Sequence, residues 1–577
     1  VKPEYNKIVQ SGKPDSAPLP KLNDQSLEDD IPSWDFDGLP SRNYQTADQK
    51  DFEQFRGNEN GSNRYTLDNS SDITGQSIYI KHDGYEDEGN ENPYHGAAIH
   101  VSKNNNGRLD LTSSSGDIRI DAVSEKNFSD EDKHFYDAIQ VYGDRNLKLK
   151  SAKDIIIYAN NNGIDSTDSD GNPNNEKGNT DLVAAGSTYI HGGINRKDND
   201  KNGDGIRSQG NGYINIESGV SNVITGYDAG VYIHKNTNTQ GSITNNSKNY
   251  NVLITAEGND INEKGGIANT IVGYNNGLEV DSTSPSVRVG VIAENGDNYI
   301  EGLKAYNDTN GYGISTKGGA VDVIAKNGDN YIIGKDSGIN VADGSVSANA
   351  ASTNLVRAEK NGIHINSGDN NNVTLTGAYN EVSVDNGNAI ATDNNTNSTI
   401  KIISTIKDGI NSIISKNGKG IYTSKDSTGE IYIASSGGEK GIGILNQIYA
   451  GDTAIDHSGS QLIEIKDDNG SNVIVGGYDF TNKGLKDSKN SDASGIVLNG
   501  SGTIHVSGSQ NQLFGAYNGI ESTADAQYDN KDYQYNIQLE AHGEKGNTVV
   551  GNQNGILNNS STAKIWLLAK GNGSNYI

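Results

Sequence analysis

The 577-residue chain contains no cysteine, no methionine and only two tryptophans. Without thiols it can form no disulfide, no Cys-based metal site and no cysteine nucleophile, and the absence fits an exported protein that folds without disulfide support. With no methionine even at position 1, the numbering is expected to begin after a removed leader or at the boundary of a longer chain. No uninterrupted apolar run approaches the roughly 20 residues a membrane-spanning helix needs, so direct membrane insertion of this segment is not expected. Basic residues are outnumbered, 47 Lys and Arg against 75 Asp and Glu, for a net charge of -28. That balance excludes nucleic acid as a natural partner, because phosphate backbones call for clustered cations. Apolar residues make up only 32% of the chain, too few for one large central core.

Low hydrophobicity with high net charge is also the signature of disorder. The pattern argues against it. The apolar residues gather in short islands such as Asp154-Ile-Ile-Ile-Tyr158, Asn251-Val-Leu-Ile-Thr255 and Glu430-Ile-Tyr-Ile-Ala434, which read as strands. The 71 glycines are scattered singly, usually beside Asn or Asp, and those pairs are turn chemistry. Many short strands, many Gly/Asn corners and no helical periodicity predict an all-β protein.

Six of the nine prolines, at 3, 14, 18, 20, 32 and 40, lie in the first forty residues with Trp34 and Phe36. Proline cannot donate to a strand ladder, so residues 1–60 are expected to be a Pro-rich leader or an irregular N-terminal cap. Residues 61–210 read as early coils with inserted acidic loops, and residues 211–577 as a repetitive region. There Asn295-Gly-Asp-Asn-Tyr-Ile300 recurs as Asn327-Gly-Asp-Asn-Tyr-Ile332, and the chain stops inside the related Asn572-Gly-Ser-Asn-Tyr-Ile577. Variants are Ser221-Asn-Val-Ile-Thr-Gly226, Asn269-Thr-Ile-Val-Gly273, Ser471-Asn-Val-Ile-Val-Gly476 and Asn547-Thr-Val-Val-Gly551.

A second unit, glycine then an aliphatic residue, recurs at Val231, Leu278, Ile314, Ile339, Ile363, Ile421, Ile496, Ile520 and Ile556. Positions 314 and 339 are 25 apart, and 339 and 363 are 24 apart, while other gaps reach 36 or more. A period in the twenties indicates a repeat architecture whose longer gaps hold corner loops or double turns. The predicted fold is a parallel β-helix (β-solenoid) with extra-helical loops, in which each coil pairs with the next and Asn, Ser and Thr hydrogen-bond along the stack at the corners. A β-propeller needs about 40 to 50 residues per blade and fits the short period poorly.

On these Gly-aliphatic and Asn-x-Ile-x-Gly units, residues 70–577 resemble the passenger regions of bacterial autotransporter and filamentous-haemagglutinin-like adhesins. The resemblance implies a right-handed helix and secretion to the bacterial cell surface, with outer-membrane attachment through a segment not in this chain. It also implies adhesion to a host-cell or bacterial surface protein or glycan. Asn172-Pro173-Asn174 is followed by Asn175, a partial match to the Asn-Pro-Asn-Gly motif of two-partner secretion domains that does not choose a secretion route.

The sharpest local motif runs from Asp198 to Ile206. Read from Asp200 it is D-x-N-x-D-G, placing Asp200, Asn202 and Asp204 at the first three ligand positions of a calcium loop, with Asp198 alongside. Position twelve is Asn211 in place of the bidentate glutamate, so the loop is either a weak calcium site or a polar corner. No cofactor is required by any other motif. Asn179-Thr-Asp181 and His191-Gly-Gly193 echo polygalacturonase motifs, but the paired aspartates and the Arg-Ile-Lys signature that would complete them are missing. The ten histidines form no metal-binding pair, and no nucleophile elbow or phosphate loop occurs in context. The chain is therefore expected not to be an enzyme. An adhesin stalk that binds through loops near 83–95, 127–140 and 165–210 leads. A self-associating structural fibre comes second, and a β-helical polysaccharide lyase or hydrolase third.

Overall fold

The computed structural model describes residues 65–66, 71–81, 96–101, 108–123, 136–142, 146–167, 178–194, 203–209, 212–235, 250–258, 266–282, 284–303, 311–407, 409–435, 444–489, 491–527 and 534–577. Residues 1–60, most of the three loops singled out above and the calcium-loop positions Asp198, Asp200 and Asn202 lie outside them. Among the described residues every regular element is a β-strand. They divide into two compact units, one ending at Lys326 and the other beginning at Asn327.

In the first unit a coil is three strands. Ile206–Ser208, Ile214–Ser218 and Asn222–Gly226 are followed by Ala229–Lys235, Val252–Ala256 and Ile267–Gly273, and each strand pairs in parallel with its counterpart one coil on. The fold is thus the parallel β-helix that the repeats predict. Alternation decides which face is buried: Ile214 and Ile216 point inward, while Asn215 and Glu217 point out. Stacking then converts single aliphatic residues into columns. Ile164, Ile206, Val231, Leu278 and Ile314 are in register along one column, and all are fully buried. No one coil can hide these side chains alone; at roughly 2 kcal/mol per buried aliphatic side chain, stacking is the main source of stability.

The second unit repeats the scheme with greater regularity. Ile400, Ile431, Ile463, Ile504 and Ile537 follow one another in register and are fully buried. The Gly-aliphatic pairs form another column, in which Ile363 pairs with Ile390, Ile390 with Ile421 and Ile421 with Ile455. The glycine there answers a close approach of backbones. A Cβ on Gly362 would stand 2.3 Å from Val382 Cγ1 and 2.6 Å from the Ala389 carbonyl oxygen. Ala389 and Ala454 occupy the equivalent place in later coils, so a methyl group is the upper limit.

An asparagine ladder lines a corner inside each unit. In the first, Asn222 Nδ2 donates to Asn269 Oδ1 and Asn269 Nδ2 to Asn298 Oδ1, both at 2.8 Å. In the second the chain of amides runs from Asn330 through Asn354, Asn380, Asn411, Asn446, Asn472, Asn511 and Asn547 to Asn575, at 2.8 to 2.9 Å per step. The ladder includes the asparagines of the repeated sequence units, such as Asn222, Asn269, Asn330, Asn472 and Asn547. Successive rungs are as little as 24 and as many as 47 residues apart, so the irregular gaps are single coils with inserted loops, not double turns. One insertion is itself folded: Tyr478–Asp479 pairs antiparallel with Gly484–Leu485. Phe480 and Leu485 pack over a buried outward cluster of Tyr449, Val475, Tyr478 and Phe514.

Candidate functional site

The residue before each Gly-aliphatic pair sits at a corner where the chain turns into a strand. In the first unit that position carries Asp137, Asn162 and Asp204 on successive coils. Each lends a side-chain oxygen to the coil after it. Asp137 Oδ1 accepts from the Asn162 amide N–H at 2.9 Å and from Asn161 Nδ2 at 2.7 Å. Asn162 Oδ1 accepts from the Asp204 N–H at 2.9 Å, and Asp204 Oδ1 from the Ala229 N–H at 3.0 Å. All three are buried.

Three residues into the middle coil lies Asp165, on strand Ile164–Thr167. Parallel register sets it between Gln140 and Arg207. It is 6% exposed, and its Oδ1 has no hydrogen-bond partner among the described residues. The nearest guanidinium is committed elsewhere. Arg207 lies over the Tyr232 ring, 5.7 Å from its centroid, and with the Gln209 amide oriented to suit both groups its Nε and Nη2 reach the amide oxygen at 2.9 and 2.8 Å.

Burial therefore dominates the electrostatics. It pushes the Asp137 carboxyl up to about 6 against the amides that stabilise its anion. Asp165 is driven well above the ordinary carboxylate range by burial and then by the neighbouring charge of Asp137, with Asp204 adding and Arg207 opposing. Asp204 is raised by burial and then by Asp228. Three acids on three successive coils, two serving as caps and one with an oxygen that has no partner among the described residues, form the densest group of perturbed carboxyls among the described residues of this unit. They can store a proton. Among the described residues no three His, Asp or Glu groups are placed to hold a metal ion.

Of the four residues of the candidate calcium loop, Asp204 alone is described, and it is a buried cap. The polygalacturonase-like positions are not brought together. Asp181, on strand Asn179–Ala184, takes the Tyr213 hydroxyl at 3.1 Å. His191, on strand Thr188–His191, contacts Thr225 Oγ1 at 2.7 Å and stacks on Tyr158. Its imidazole is depressed to about 4 by burial.

The outward faces differ from the inward ones in kind. In the second unit Lys401, Tyr432, Glu464, His505, Gln538 and Trp566 succeed one another in register on one outward row. His505 lies between Glu464 at 3.5 Å and Glu540 at 3.8 Å, Lys570 pairs with Glu540, and Trp566 stacks on Tyr535 with centroids 4.8 Å apart. Alternation along strand Ile565–Ala569 turns Trp566 outward, in register with Gln538.

Sequence reasoning missed Asp137, and it read Asp165 only as the first residue of Asp165-Ser-Thr-Asp-Ser-Asp-Gly171, a poorer relative of the calcium loop. The legible signal was the Asx that precedes the aliphatic pair, as in Asp137-Ala-Ile139, Asn162-Gly-Ile164 and Asp204-Gly-Ile206.

No protein-family model, no curated protein and no solved structure matches this chain.

Proposed function

We propose that the chain is a secreted or surface-displayed bacterial adhesin passenger region, a β-helical scaffold that binds a host-cell or bacterial surface protein or glycan through its outward faces and loops. One observation carries this reading. The inward column Ile400, Ile431, Ile463, Ile504 and Ile537 is monotonous, whereas the outward row beside it, from Lys401 to Trp566, holds six different residues. Uniformity inside and diversity outside is what a scaffold for recognition requires, since the core needs only volume and β-propensity while a binding face needs specific chemistry. The style of the repeats supports display at a bacterial surface, attached through a segment beyond this chain. The acidic balance favours neutral or basic partners over anionic ones.

The test is binding of the purified chain to an array of host and bacterial surface glycans and proteins, with calcium and with chelator, while the same glycans are assayed for cleavage. Saturable binding without cleavage is the expected result. Cleavage would overturn it in favour of a carbohydrate-active enzyme, and assembly into filaments without binding would favour a structural fibre.

A further inference from the structure

We propose that Asp165 is a proton-binding site, and that the coils from Asp137 to Ala229 are held together by a carboxylic acid and loosen when that acid ionises. The geometry carries the argument. Asp165 is more than nine-tenths buried, and its Oδ1 lacks a hydrogen-bond partner among the described residues, an arrangement tolerable for a neutral acid and costly for an anion. The charged groups facing it are Asp137 from the preceding coil and Asp204 and Arg207 from the following one. Arg207, hydrogen-bonded to Gln209 and lying over Tyr232, opposes by its charge alone, while burial and Asp137 outweigh it.

Ionising Asp165 would set a negative charge between Asp137 and Asp204, whose oxygens cap the amides of Asn162 and Ala229. Those two caps and the Asn162–Asp204 cap between them join the stack at this corner. Repulsion at the central coil therefore acts on the Asp137–Asn162 bond that joins it to the preceding coil and, through Asp204, on the bond that joins the following coil to Ala229.

The sign follows from linkage. An acid held more tightly by the folded chain than by the unfolded one stabilises the fold below the unfolded value, and that contribution is lost as pH rises through the folded value. Asp137, raised to about 6, is half-ionised there and mostly ionised by pH 7, and His191 is already neutral above its ordinary value. The interval from pH 7 to 9 thus isolates the groups raised further.

Hydrogen exchange of the full chain across that interval, corrected for the intrinsic rate, tests the proposal at peptides covering Asn162, Asp204 and Ala229. Each linked proton, on Asp165 or on the likewise raised Asp204, predicts opening that rises by up to about tenfold per pH unit until that carboxyl is ionised. Asp165→Asn, isosteric and uncharged, is expected to shrink that rise and to protect the peptides better than wild type at pH 9. Should that variant fold poorly, Asp137→Asn serves: its amide oxygen still caps Asn162 while one facing charge is gone, and the rise is again expected to shrink. Identical pH profiles in wild type and the folded variants would overturn the proposal. So would restoration of wild-type protection at pH 9 by millimolar calcium that Asp165→Asn does not share, since the site would then take a cation in place of the proton.

Discussion

Asn380 receives the side-chain amide of Asn354 at 2.8 Å and passes its own to Asn411 at 2.9 Å, while also donating to the Ile403 carbonyl at 2.9 Å. Every hydrogen-bonding atom of this buried side chain faces a partner, and each partner belongs to another part of the stack. A ladder of this kind fixes register, because a slip by one residue would bury an apolar side chain among the amides and orphan the carbonyls.

Replacing Asn380 with alanine leaves Ile403 O and Asn411 Oδ1 without their donor and removes the acceptor for Asn354. Each buried orphan costs on the order of 1–3 kcal/mol, so a loss of about 3 kcal/mol is expected for Asn380→Ala. Urea unfolding of the wild type and variant at pH 7 measures it. A loss under about 1 kcal/mol would mean that water replaces the amide.

At Gly362 the constraint is steric. The Cβ of any residue there meets Val382 Cγ1 at 2.3 Å and the Ala389 carbonyl oxygen at 2.6 Å, and the second contact is to backbone. Gly362→Val is expected to destabilise by about 3 kcal/mol or more, with Gly362→Ala costing less because alanine fills the matching place at 389 and 454. Thermal denaturation of the pair checks the order, and equal effects would show that the coil spacing yields.

His457 is fully buried, with Nδ1 2.6 Å from Thr423 Oγ1 and Nε2 3.0 Å from the Gln461 carbonyl oxygen. The carbonyl requires a proton on Nε2, which leaves Nδ1 to accept from the threonine hydroxyl, so the neutral ring satisfies both partners. Burial depresses the imidazole from 6.5 to about 4. Between those values the unfolded chain takes up a proton that the folded one refuses. This contribution is therefore complete above pH 6.5 and lost on acidification, by about 1.4 kcal/mol per unit and roughly 3 kcal/mol in all. Denaturant midpoints at pH 7 and pH 5 should show the fall, and His457→Gln should reduce the difference between them. An undiminished difference in that variant would assign the acid sensitivity to other groups.

The fold was legible because its stabilising residues recur. The Asn of each Asn-x-Ile-x-Gly unit is a ladder rung, and the aliphatic residue of each Gly-aliphatic pair except the last, at Ile556, is a buried core position. Loop insertions stretch the spacing without altering either. What was illegible depends on neighbours far apart in sequence. Asp165 gathers its environment from residues 137 and 204, and no local window contains all three. The Tyr478–Leu485 hairpin hid for another reason: its apolar residues cover outward Tyr449 and Phe514, so aromatic residues appear on a face where alternation predicts polar ones.

The contrast between inward and outward residues yields the prediction that bears on function. Ile463 is fully buried between Ile431 and Ile504. Truncation to alanine removes most of an aliphatic side chain from a column that cannot collapse without shifting both neighbouring coils. A cost of roughly 3–4 kcal/mol is expected. Glu464 beside it points outward, half-buried against His505; Glu464→Gln keeps the shape and removes a charge whose pairing is solvent-screened, so stability should change by less than about 1 kcal/mol. If the outward row is a recognition face, the ranking inverts for binding: Glu464→Gln, Tyr432→Ser and Gln538→Ala weaken capture of the partner found on the array, while Ile463→Ala, at a temperature where it remains folded, leaves affinity unchanged. Surface plasmon resonance on the four variants, each first checked by circular dichroism, separates the two roles. Unchanged affinity in all three outward variants would move the contact surface away from this row and onto the other faces or loops.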